Sequence, residues 1–399
     1  MQPNINTDKT FKRLAKHLDD LPGGFPPTES GVELRILRRL FTPEEAALAV
    51  RLTLIPEFPE VTARRAKKGV EATATMLEDM ASKGLIMRVG AKPPYRYMAA
   101  QFIVGIWEYQ VNRLTEELVR DFNEYAPILT TKSGWEKMPQ VRVVPVEKSI
   151  TPDHQTMAYE EAVAIIKARR KILVAPCICR REHTMVGEGC GKLEEACLIF
   201  DWSAVYYEKN NVGRIIDSEE ALAILAEGDK QGLVLQPSNG KKPAAICMCC
   251  GCCCQVFLAY KRHPDPAKFA ASPFTIKLDD DKCIGCAKCV KRCQMDAFTM
   301  VEGEAGARDS KASDGADGKK RKKKAVVEKR LCIGCGLCVT TCPSEALELV
   351  RKEDAPEVPA SFPEALMNLG RARGKLSPTK MALMALKSKL DRTLASRGK

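Results

Sequence analysis

Cysteine placement constrains this chain more than any other feature. All 18 cysteines fall between Cys177 and Cys342, and the 176 residues before them hold none. A confined block of thiols in a chain of 399 residues, long enough to bury ordinary cores, reads as a set of metal ligands, not a disulfide framework. The first residues are charged and lack the apolar core and cleavage site of a signal peptide, so the expected setting is a reducing cytoplasm, where thiols persist as ligands.

Two runs share one spacing: Cys283-x2-Cys286-x2-Cys289-x3-Cys293 and, 49 residues on, Cys332-x2-Cys335-x2-Cys338-x3-Cys342-Pro343. Ile284/Ile333, Gly285/Gly334 and Val290/Val339 recur with them. At this spacing one short loop turns three thiolates toward one polynuclear site while the fourth departs on a helix. Zinc and free thiols are the alternatives, but zinc seldom needs two interlocked four-cysteine runs. Over about residues 274–351 the chain resembles the two-[4Fe-4S] bacterial ferredoxins. That resemblance implies two [4Fe-4S] clusters with exchanged fourth ligands: Cys283, Cys286, Cys289 and Cys342 on one, Cys332, Cys335, Cys338 and Cys293 on the other. Small Gly285 and Gly334 are expected to admit backbone amides, and Ile284, Ile333, Val290 and Val339 to shield the sites from water. One departure is visible, since Gln294 follows Cys293 where that family carries proline.

Ten cysteines remain. Cys177-x-Cys179-x10-Cys190-x6-Cys197 supplies four, and Cys247, Cys249, Cys250, Cys252, Cys253 and Cys254 supply six around Gly251. Six cysteines within eight positions lie far outside ordinary core usage. Adjacent ones cannot all face one metal. The ten are read as metal ligands for one or two further iron–sulfur clusters, with zinc, packing and redox disulfides as alternatives and the individual roles open. His183, between Cys179 and Cys190, reads as a hydrogen-bonded histidine, with ligand or proton carrier as alternatives. Residues 243–260 carry no charge over 18 positions, but six cysteines and Gln255 argue against a membrane span.

The expected fold class is α+β, in three parts and a tail. Residues 1–130 form a winged-helix-like domain: Leu34, Leu37, Leu40 and Phe41 at helical spacing, Thr42-Pro43-Glu44-Glu45 as a helix start, and a helix over Val70–Ser82 with Met76, Leu77 and Met80 inward. Gly84 ends that helix, and strands Leu85–Val89 and Tyr95–Ala99 follow. A longer amphipathic helix is expected over Phe102–Tyr125, with Pro127 opening an irregular connection. Residues 145–262 form a cysteine-rich α/β domain in which a helix–strand unit with a cysteine pair recurs 59 residues on, or else two ordinary helices share common helix formers. The ferredoxin-like domain at 274–351 carries a Lys-rich insert, 302–324, expected to be mobile. A basic tail, 360–399, ends in a helix with Leu383, Leu386, Leu390 and Leu394 on one face, suited to a partner, an anionic membrane surface or its own domain.

Net charge is +12, and the run 319–324 together with residues 363–399 accounts for all of it. The body is nearly neutral. The segments Thr28–Leu34, Pro176–Arg180, Ile246–Cys254, Cys283–Cys293 and Cys332–Pro343 make the whole chain resemble a family of 4Fe-4S ferredoxin-type iron–sulfur binding proteins of anaerobic bacteria. The resemblance implies electron transfer; the expected partner is a redox protein, of flavoprotein or ferredoxin-dependent oxidoreductase class. No G-x-G-x-x-G follows a strand, so any flavin belongs to the partner. A second reading is an oxidoreductase subunit with a substrate-facing cluster in the middle domain. A third is a redox-sensing DNA-binding regulator, but Glu71, Glu78 and Asp79 on the would-be recognition helix carry the wrong sign for phosphates, leaving only Arg64, Arg65, Lys67 and Lys68 nearby.

Overall fold

A computed structural model describes residues 5–146, 149, 160–302 and 323–396; most of the Lys-rich insert lies outside them. The N-terminal part runs α1 (Ile5–Asp20), α2 (Val32–Leu40), α3 (Pro43–Ala49), α4 (Pro59–Ala66), α5 (Val70–Ser82), then the antiparallel hairpin β1 (Ile86–Val89) and β2 (Arg96–Ala99). Helix α3 begins on a reciprocal cap, the Glu45 N–H donating to Thr42 Oγ1 at 3.2 Å and the Thr42 N–H to Glu45 Oε2 at 2.8 Å. Leu77 and Met80 of α5 are buried, Met76 half-buried.

The expected helix over Phe102–Tyr125 is not continuous. The chain passes irregularly through Phe102–Ile106 and a 3-10 turn at Glu108–Gln110 before α6 (Glu116–Lys132), whose cap is Thr115. Its apolar pattern came from burial of an irregular segment: Phe102, Ile106 and Trp107 all lie in the core, with Trp107 stacked on Phe122 at 3.7 Å between ring centres. Pro127 sits inside α6 and opens no connection.

The middle part comprises α7 (Ala162–Lys167), β3 (Ile172–Pro176), α8 (Ile178–Met185), β4 (Glu195–Phe200), α9 (Asp201–Lys209), β5 (Arg214–Ile216), α10 (Ser218–Lys230), β6 (Val234–Pro237), β7 (Ala245–Cys249) and α11 (Gln255–Arg262). Its strands form one antiparallel sheet in the order β5-β3-β4-β7-β6. Both expected helix–strand units exist, α7–β3 and α10–β6. Their cysteine pairs are not equivalent, however, since Cys177 and Cys179 follow β3 whereas Cys247 and Cys249 lie within β7. The charge-free stretch 243–260 is divided between β7, a turn and α11.

The N-terminal and middle parts share one apolar core, which also takes in Met295, Ile333 and Leu337. Tyr206 of α9 donates to the carbonyl of Ile86 at 2.7 Å, and its ring meets Tyr109 at 4.7 Å. After α12 (Pro266–Phe269) come β8 (Phe274–Leu278), α13 (Lys288–Arg292), β9 (Phe298–Glu302), β10 (Lys323–Val327) and β11 (Leu347–Arg351), paired antiparallel as β8–β11 and β9–β10 around a smaller core.

The tail forms α14 (Phe362–Ala372) and α15 (Pro378–Ser396). Helix α15 turns polar residues inward: Arg65 donates to Glu57 at 2.6 and 2.8 Å and to Asp391 at 2.7 Å, and Ser388 donates to Glu57 at 2.6 Å. Leu383, Leu386 and Leu390 therefore face outward, 65%, 64% and 56% exposed. Docking of α15 is set by a buried charge triad, because Glu57 would otherwise be an unpaired buried carboxylate. Arg65→Met should cost about 3–5 kcal/mol in urea unfolding and open α15 to trypsin; unchanged stability and cleavage would contradict this packing.

Candidate metal centres

Eight cysteines line two cavities in the C-terminal part. The first is lined by Cys283, Cys286, Cys289 and Cys342 with Leu278, Ile284 and Leu347. The second is lined by Cys332, Cys335, Cys338 and Cys293 with Ile276, Ile333 and Leu349. Each run thus sends its fourth cysteine to the other run's cavity. The two halves repeat in detail, since the Ala346 N–H points at Cys342 Sγ at 3.3 Å and the Ala297 N–H at Cys293 Sγ at 3.4 Å. Gly285 and Gly334 have φ of 71° and 64°, and a Cβ there would fall 2.0 Å from the Lys323 carbonyl oxygen and 2.1 Å from that of Phe274, so only glycine closes these loops. Shielding is unequal: Ile333 is 2% exposed, but Ile284 is 54% exposed and leaves the Cys286 rim open.

The ten middle-domain cysteines separate into two groups. The sulfurs of Cys190, Cys250, Cys252 and Cys253 all lie within 4.8 Å of one another. Cys252 and Cys253 reach the same centre although adjacent, because residues 251–253 form a turn, not a strand. The other six, Cys177, Cys179, Cys197, Cys247, Cys249 and Cys254, form a continuous chain of sulfur contacts. Sheet register builds that second group. Cys197 of β4 stands opposite Cys247 of β7 with sulfurs 3.9 Å apart, Cys249 shares the face of Cys247 by the two-residue repeat, and Cys177 follows the neighbouring strand. Gln236, paired with Cys247 from β6, directs its amide at Cys254 Sγ at 3.9 Å and accepts from Tyr260 at 2.9 Å.

A buried arginine lies between the groups. Arg180 on α8 points Nη1 at Cys250 Sγ at 3.7 Å, donates Nη2 to the Met248 carbonyl at 3.0 Å, and feels the sulfurs of Cys177 and Cys249. His183 is hydrogen-bonded, its Nδ1 2.9 Å from the Cys179 carbonyl oxygen, and belongs to neither sulfur group.

The C-terminal cavities are fastened to the four-thiol group. The Gly251 N–H donates to Gln294 Oε1 at 2.8 Å, and a Cβ on Gly251 would fall 2.3 Å from the Gln294 carbonyl oxygen. Arg292 donates to the Lys230 carbonyl at 2.9 Å, and the Val146 N–H to the Cys335 carbonyl at 3.1 Å. Gln294 is the residue that departs from the ferredoxin pattern.

Residues 282–346 match the family model of the 4Fe-4S dicluster domain. No curated protein and no solved structure matches the chain. The protein therefore contains a ferredoxin-type iron–sulfur domain, and the dicluster domain's cysteines alternate with apolar side chains and inward N–H groups as thiolate-held clusters require. The four-thiol group of the middle domain could hold a metal ion as well. Cys177 and Cys247 are raised well above the ordinary thiol range, first by the neighbouring sulfurs of Cys179 and Cys197 and then by burial. Burial also opposes ionisation of Cys250, yet the Cys253 backbone, the Cys252 thiol and Arg180 together bring it down to about 6.

Arg180 was missed in the sequence, although an arginine directly after a ligand-type cysteine in an apolar segment was a readable signal. Glu108 and Tyr109 were missed too. Tyr109 packs edge-on against Tyr207 at 5.3 Å, and Tyr207 feels Cys197 and Cys247. Burial pushes the Glu108 carboxyl up to about 7 from an ordinary 4.5, against the pull of the Gly105 N–H at 2.7 Å. A carboxyl raised in the folded state adds stability that is full below pH 4.5 and lost as pH rises through 7. Glu108→Gln should therefore gain on the parent in urea midpoint between pH 5 and pH 8; a constant difference would show that Glu108 ionises normally.

Proposed function

We propose that the protein is a multi-cluster electron carrier in which the dicluster domain and both middle-domain thiol groups hold iron–sulfur clusters. Two [4Fe-4S] clusters are assigned to Cys283, Cys286, Cys289 and Cys342 and to Cys332, Cys335, Cys338 and Cys293. Two more sites are assigned to Cys190, Cys250, Cys252 and Cys253 and to Cys177, Cys179, Cys197, Cys247, Cys249 and Cys254. Bound there, such clusters supply one-electron redox change with little rearrangement. The chain's own residues fix order and environment. The sites run from the open rim at Cys286, through Cys293, across the Gln294–Gly251 bond to Cys250, and past Arg180 to Cys249. Arg180 offsets negative charge where two thiolate groups meet, and Ile333 and Leu337 keep water from the inner dicluster cavity.

The observation that carries this reading is the Gln294–Gly251 contact, which joins a dicluster ligand segment directly to the middle-domain cysteine turn. A redox partner protein, of flavoprotein or ferredoxin-dependent oxidoreductase class, is assigned to the rim formed by Ile284 and Cys286. DNA gains no support as a partner, since Arg65 is committed to Glu57 and Asp391, and Glu78 on α5 pairs with Arg88. No helix among the described residues is long and apolar enough to cross a membrane.

Gly251→Val forces the two segments apart at that contact, and Gln294→Pro removes the amide acceptor. With iron content unchanged, both variants should lose the spin–spin broadening expected in the EPR spectrum of the reduced protein. An unbroadened parent spectrum, or one that both variants preserve, would overturn the continuous path.

A further inference from the structure

A mostly apolar cavity of about 230 Å³ lies outside every cysteine group, yet shares a sheet face with one of them. Its floor is Ile199 of β4 and Ala245 of β7, directly opposite each other in register. Two residues along the same two strands, hence on the same face and roughly 7 Å away, stand Cys197 and Cys247. The six-thiol group thus ends where the cavity begins.

The walls come from three parts of the chain. Met87, Met98 and Tyr109 are supplied by the N-terminal part, Trp202 and Tyr207 by α9, and Leu366 with Met367 by α14. Helix α14 is held across the opening by residues remote in sequence, with Lys242 bridged to Ser361 and Arg373 donating to the carbonyl of Leu21 at 2.7 Å and to Asp19 at 2.8 Å. The lining carries no charged side chain, which disfavours nucleotides, phosphates and amino acids as occupants. Aromatic and methionine side chains suit a flat apolar ring. Hydroxyls are present at its edge: Tyr207, and Tyr109, whose OH lies 3.2 Å from Met87 Sδ. The Glu108 carboxyl is bonded to the N–H of Gly105, itself a lining residue.

We propose that this cavity is a substrate site for a quinone-class acceptor, reduced at the inner end of the electron path. The inference rests on the reading that the six-thiol group holds an electron-carrying cluster. Quinone reduction balances with what is at hand: two electrons delivered singly by the chain, supplied to it by its reduced redox partner, and two protons taken by the two carbonyl oxygens give the hydroquinone. Burial raises the Glu108 carboxyl to about 7, so below that pH most of it holds a proton against the lining residue Gly105. Tyr109 retains its proton as well, raised first by burial. An apolar occupant without redox chemistry would need neither the adjoining thiols nor the proton-bearing edge.

The test uses the intact, iron-loaded protein and menadione as probe. Trp202, exposed at the cavity wall, reports binding by fluorescence quenching, with Trp202→Phe as the control for the buried Trp107 and Trp135. Saturable quenching is expected, weakened at least tenfold by Leu366→Arg on α14 and by Ser203→Phe on α9, with iron and sulfide contents unchanged. Chain photoreduced without excess reductant should be reoxidised by one menadione per two electrons, at least tenfold more slowly in both variants. No saturable binding, binding that both variants leave intact, or saturable binding of oleate with none of menadione would overturn the proposal. Failure of the cluster reading is separately visible, as menadione binding by protein whose iron is confined to the dicluster domain.

Discussion

The middle of the molecule depends on one strand pairing, β4 against β7, which sets Cys197 opposite Cys247. A slip of β7 by one residue would turn Cys247 and Cys249 to the opposite face, where Met248 packs on Gly228 of α10. Correct pairing joins six sulfurs in one continuous chain of contacts, where we propose that a cluster is held.

From that face the remaining geometry follows in two directions. Along the end of β7 the chain leaves as Cys250–Cys254, gathers with Cys190 into the four-thiol group and meets Gln294, so the dicluster domain is positioned by backbone-level contacts and not by a flexible linker. Back along the same strands, the face becomes apolar at Ile199 and Ala245 and is roofed by the N-terminal part and α14. The shared core explains how a helical segment with no cysteine reaches the apolar cavity: it supplies Met87, Met98 and Tyr109 to the walls. Buried Arg180, between the sulfur groups, feels sulfurs of both.

Much of this is legible in the amino-acid sequence. The four-cysteine runs have a spacing that is itself the geometry of a short loop around a cluster, so the division of eight cysteines into two cavities could be anticipated from resemblance and is what Cys342 and Cys293 do. Caps such as Thr42–Glu45 and stops such as Gly84 were readable because they act locally. The division of the other ten cysteines was not, because it is decided by strand register and by a turn at Gly251, both long-range facts. Ile284 was expected to shield and is exposed, since a repeat in sequence does not guarantee a repeat in neighbours: Ile333 has the main core beside it and Ile284 has solvent. The leucines of α15 suited a partner, an anionic membrane surface or the chain's own domain, and the helix docks on its own domain through Arg65, Glu57 and Asp391 while Leu383, Leu386 and Leu390 stay exposed.

The central claim, that cysteines outside the dicluster domain also hold iron–sulfur clusters, is tested most directly by iron and acid-labile sulfide per chain in anaerobically purified protein. The account predicts about 16 iron atoms with matching sulfide, from two clusters in each part. A value near 8, with zinc or no metal on the middle-domain thiols, would contradict it.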